Sequence, residues 1–176
     1  MRTGLKVTYL WHDNDVIEVR VTVENARFRG TADTYVGTDG LFEAAATLAG
    51  FPANGGDKRE VIFGAEGKGF AGGAVRLQFY RSDLAGHAQF RAKIEGDYGN
   101  QEVAESATIC VDFEPAALDG FLAELQQVER THHGSASLLI LPYPPPRSRG
   151  FQQSRRGRPS EQVEVAGNAV LLEQLA

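Results

Sequence analysis

His87 is the histidine best placed for chemistry. It follows Gly86 at the start of an alternating segment, close to Asp83, with Tyr80 and Arg81 ending the preceding run. A histidine hydrogen-bonded to a carboxylate can act as a general base. Tyr80, Arg81, Asp83 and His87 therefore form the candidate site of a small-molecule binder or enzyme. The competing reading is that Asp83 and His87 staple a hairpin. No serine or cysteine stands in an activated context to serve as nucleophile, so no catalytic residue is assigned.

Other chemistry-bearing residues read as structural. His12 lies beside Asp13 and Asp15, but a metal site draws three or four ligands from converging elements, and no second histidine has matching spacing. The segment reads as a polar turn. His132 and His133 are adjacent, so on a helix or strand they point apart and read as linker histidines. The segment GAEGKGFAGG (64–73) lacks the lysine-serine or lysine-threonine ending of a phosphate loop and precedes a strand, so it reads as a hairpin loop. Cys110 is the sole cysteine, cannot form an internal disulfide, and reads as a buried structural thiol in an apolar strand. Neither a metal nor a cofactor is expected.

These residues need elements to hold them, and the strand signals are clear. Ile17, Val19, Val21 and Val23 alternate with Glu18, Arg20, Thr22 and Glu24, which gives a strand with one wet side. Similar runs occupy Leu5–Leu10, Ala26–Tyr35, Glu60–Ala65, Ala74–Ser82, Ala88–Glu95 and Ala104–Phe113. Two segments carry helical spacing instead. Leu41, Phe42, Ala45 and Leu48 follow a cap at Thr38 or Asp39 and end at Gly50. Pro115 opens a second stripe of Leu118, Phe121, Leu122, Leu125 and Val128. The order predicts an α+β domain: a largely antiparallel sheet of about six to seven strands with two helices packed on one face.

Composition sets the outer limits. Of 176 residues, 42% are hydrophobic and 23% charged, a globular mixture. Residues 1–130 carry 13 Lys/Arg against 20 Asp/Glu, a balance of −7, and form the expected domain. Residues 131–176 are rich in proline and arginine, including SRRGR (154–158), and are expected to be a poorly ordered extension. An acidic body repels phosphate backbones, which disfavours nucleic acid, and suits a basic protein partner. No segment has the apolar length of a signal peptide or membrane span, so a cytoplasmic protein is expected. The balance of these features favours a non-catalytic protein-interaction role over an enzyme.

The block LAGFP…DKRE…FG…GGAVRLQFY..D..GH, followed by the E-P-x-x-L-D-x-F-x-x-E-L helix, resembles a group of small uncharacterised bacterial proteins across residues 5–130. The resemblance implies a sheet with helices and a C-terminal amphipathic helix, here bearing Phe121, Leu122 and Leu125. In general pattern the chain is also similar to immunity proteins of polymorphic toxin systems, including the WapI-type group. That likeness implies a dedicated protein binder. Neither resemblance supplies catalytic residues.

Overall fold

The alternation of branched apolar and polar residues over 16–24 sets the first sheet. In a computed structural model, which describes residues 2–81 and 87–140, this run is strand β2 (Val16–Glu24). Ile17, Val19, Val21 and Val23 are buried there. β2 pairs antiparallel with β1 (Arg2–His12) and with β3 (Arg29–Gly37). A further strand, β8 (Ser135–Ile140), lies antiparallel along the other edge of β1. The order is β3-β2-β1-β8. Four consecutive antiparallel strands, β4 (Lys58–Gly64), β5 (Ala74–Arg81), β6 (Ala88–Glu95) and β7 (Ser106–Phe113), make a second sheet in simple meander order.

The architecture is α+β, with two antiparallel sheets of four strands where a single sheet of six to seven was expected. Alternation shows which face of a strand is buried, but it does not specify the partner strand. The break falls between β3 and β4, where helix α1 (Gly40–Leu48) carries the chain away before the meander begins. β3 crosses the end of the second sheet. Along it, Thr34 meets Gly64 of β4, Ala32 meets Gly73 beside β5, and Gly30 meets Ile94 and Ile109 of β6 and β7. A Cβ at Gly30 would lie 2.6 Å from Ile94 Cδ1, so a larger residue there would displace the end of the Ile94 side chain. A strand that meets four others in turn runs across them, as in orthogonal sheet packing.

One apolar core lies between these layers. Phe51, Phe79, Phe90 and Phe113 form its aromatic centre, with ring centroids 5.4–6.5 Å apart. Helix α2 (Ala116–Thr131) buries Leu118, Phe121, Leu122, Leu125 and Val128, the stripe expected from spacing. It packs on β8, β1 and α1, while α1 touches β3 and β4. β8 lies beyond residue 130, where the sequence reading ended the domain, and it buries Ala136, Leu138 and Ile140 in the first sheet. The proline-rich residues that follow dominate the local composition and hide a six-residue strand. Residues 141–176 lie outside the described residues.

Side chains from distant elements finish the helices. Asp39 has a left-handed backbone (φ 68°) and makes no side-chain cap for α1. The buried Glu129 of α2 substitutes, accepting from Leu41 N at 2.9 Å and Asp39 N at 3.3 Å. A carboxylate there satisfies amides that the first turn leaves without partners. At the other end, Arg59 Nη1 donates to the carbonyls of Thr47 (2.9 Å) and Ala49 (2.7 Å). Asp57 holds Arg59 at 2.9 Å and also accepts from Ala53 N at 2.7 Å. The Arg59 side chain, then the Ala53 amide, keep the Asp57 carboxyl below its ordinary range. The DKRE segment is thus a helix terminator acting through space.

Candidate functional site

The wet face of β2 and β3 is organised in cross-strand rows. Register sets Glu18 opposite Tyr35, Arg20 opposite Asp33, Thr22 opposite Thr31 and Glu24 opposite Arg29. Arg20 grips Asp33 through two parallel bonds of 2.7 and 2.8 Å. That grip lowers the Asp33 carboxyl and raises the Arg20 guanidinium from their ordinary values. The Thr22 and Thr31 hydroxyls lie 3.1 Å apart, and Arg29 stands 3.9 Å from Glu24. These three rows satisfy themselves, which is the usual stabilising unit of a sheet face.

The Glu18 row is different. Its register neighbours are aromatic: Tyr35 on β3 and Trp11 on β1. The ion pairs of the neighbouring rows go to Asp33 and Glu24, while Glu18 acts on Tyr35 and, more weakly, on Arg20. Glu18 is the main reason the Tyr35 phenol is pushed above its ordinary value; burial, Asp97 and Asp33 add to the rise. Trp11 is 49% exposed.

Two loops of the second sheet overhang this face and turn it into a concavity of about 670 Å³. Its floor includes Glu18, Arg20, Asp33 and Tyr35, and its walls include Gly72 and Asp97. Loop 65–73 is the glycine-rich segment, and it is fastened at several points. Gly73 N donates to Asp33 O at 2.8 Å, and Gly67 N donates to the Glu95 carboxylate at 2.8 Å. Gly72 has φ 74°, and a Cβ there would lie 2.9 Å from the Tyr35 ring. The glycine therefore lets the loop rest on the tyrosine and fix its position. Lys68 ties this loop to loop 96–105 through Glu102 at 2.6 Å. Phe70 and Val103 stand exposed on the two loops, at 56% and 75%.

Of the four residues expected around His87, three lie among the described residues. Tyr80 gives its hydroxyl hydrogen bond to Gln89, its register partner, and Gln89 donates to Asp112 at 2.7 Å. Arg81 pairs with Ala88 in the ladder. His87 Nε2 lies 4.0 Å from Glu114 Oε1, and both side chains are about half exposed. Asp83 lies outside the described residues. Cys110 is exposed, contrary to expectation. The alternation that buries Ile109, Val111 and Phe113 requires this, because Cys110 shares the wet face with Asp112.

One cluster joins residues that the sequence keeps far apart. The His12 and His132 rings lie 3.9 Å apart, and the Tyr9 hydroxyl is 2.8 Å from His12 Nδ1. His132 ends α2 in a left-handed conformation (φ 48°). The cluster fastens the β1–β2 turn to the end of that helix. The turn itself is polar as expected: Asp13 accepts from the Asp15 and Val16 amides, each at 2.9 Å, which lowers its carboxyl. Among the described residues no helix is long and apolar enough to cross a membrane. Comparisons with protein-family models, with curated proteins and with solved structures found no match.

Proposed function

We propose that this protein works by binding a basic protein partner at the concavity over β2 and β3, without catalysing a reaction. The observation that carries this reading is the Glu18 row under the loop walls. Within the concavity it brings the carboxylates of Glu18 and Asp97 together with a fixed tyrosine, and the exposed Trp11 is the register partner of Glu18 on the neighbouring strand. Interfaces favour such a setting, because aromatic side chains supply contact area while unmatched charge steers the approach of an opposite partner. The −7 balance of residues 1–130 extends that steering field beyond the site. An immunity-type role, in which the partner is a basic toxin, is the specific form suggested by the resemblance to immunity proteins.

The test is affinity capture from the source organism with the unaltered protein and with Glu18→Lys plus Asp97→Lys. A partner of basic composition retained by the first and lost by the second is expected. Equal recovery of the same partner by both would place the interface elsewhere.

A further inference from the structure

The geometry points to a specific seat: we infer that Glu18, flanked by Trp11 and Tyr35, receives a single lysine or arginine side chain of the partner. This rests on the protein-binding reading of the same face. Trp11, Glu18 and Tyr35 are successive register partners on three adjacent strands, so their side chains share the wet face. Strand spacing sets the two aromatic residues about 10 Å apart across the carboxylate. That spacing leaves room over the carboxylate for one ammonium or guanidinium group flanked by the two aromatic side chains.

The chemistry favours a cation with a carbon stem. Glu18 offers full charge and a strong hydrogen-bond acceptor, and the flanking rings attract a cation through their negative faces. Neighbouring rows cannot compete for the same group, because Asp33 is held by Arg20 in a two-point grip. Nor does the protein fill the seat itself: Arg20, one row along on this face, feels the Glu18 charge but is gripped by Asp33, and Arg29 stands at the far end of the ladder, opposite Glu24. The Tyr35 ring is already positioned by Gly72, so it need not be ordered on binding. An extended segment laid along the concavity would place its other polar groups over the Thr22–Thr31 row.

Trp11 is the only tryptophan in the chain, so its fluorescence reports on this seat directly. The probe is a blocked ten-residue peptide of alternating arginine and glycine, with a citrulline version as the uncharged control. The arginine peptide is expected to change Trp11 emission saturably, and citrulline should weaken binding about tenfold or more. Glu18→Gln, which preserves shape, should weaken the arginine peptide about five- to tenfold. Tyr35→Phe keeps the ring, frees Glu18 from the phenol, and should bind at least as tightly. Unaltered Tm values would show that these variants fold. Equal binding of both peptides, or no loss in Glu18→Gln, would overturn the seat. Failure here with continued capture of the partner would discard the seat alone; loss of any dependence on the face in both assays would discard the binding site too.

Discussion

Glu129 and Thr34 are both buried polar residues on apolar surfaces, yet they have opposite consequences. Glu129 accepts two amide bonds at the start of α1, so Glu129→Ala would leave buried donors without partners. We predict a loss of about 2–3 kcal/mol in urea unfolding, with Glu129→Gln costing less because one oxygen remains. Thr34 is fully buried in β3, and its hydroxyl has no hydrogen-bond partner. Thr34→Val keeps the branched shape and removes the desolvated hydroxyl, so it should stabilise by about 1 kcal/mol in the same assay. Neither role was legible in the sequence. Glu129 lies 88 residues from Leu41, and its position in the α2 repeat gives no sign of the amides it meets. Cys110 was legible, since its place in the alternation puts it on the wet side; its residue type argued the other way, and the period won.

The elements themselves could be read with more success than their partners. The α2 stripe is buried at every expected position, because a 3.6-residue period must present one face to a core. Phe121→Ala should therefore cost about 3–5 kcal/mol through a lost aromatic and the cavity left behind. Glu124 is exposed on the flank of the same helix, but it has a task that spacing could not show. Its carboxylate accepts from Ser137 N at 2.8 Å, on the side of β8 turned away from β1. Glu124→Ala should cost about 1 kcal/mol and leave an edge amide open, so light scattering on heating should rise as well. β8 makes the analogous point for the chain boundary. A chain ending at Arg130 loses Ala136, Leu138 and Ile140 from the core and should not unfold cooperatively, whereas one ending after Tyr143 should. Cooperative unfolding of the shorter chain would show that β8 is dispensable.

Across the whole molecule, charge links stability to function. Asp33, Asp57 and Glu66 are lowered chiefly by side-chain hydrogen bonds from Arg20, Arg59 and Arg76 respectively. A carboxyl lowered in the folded state binds its proton more readily when unfolded, so its contribution is present above the unfolded value and lost as pH falls through the folded one. Stability should be flat above about pH 5 and decline below about pH 4, as urea midpoints would report. The same acidic molecule is expected to draw in a basic partner, and screening over roughly 8–10 Å should weaken that attraction as salt rises. The sequence made the charge balance plain. It could not disclose the concavity, because this depends on β3 passing beneath loops that belong to another sheet. The measurement that tests the central claim most directly is the association rate of the captured partner with unaltered protein, Glu18→Lys and His87→Ala, each at low and high salt. The binding account predicts an association at least about tenfold slower for Glu18→Lys, a similar slowing of the unaltered protein by salt, and no change for His87→Ala. Normal association by Glu18→Lys together with a turnover that disappears in a folded His87→Ala variant would contradict it.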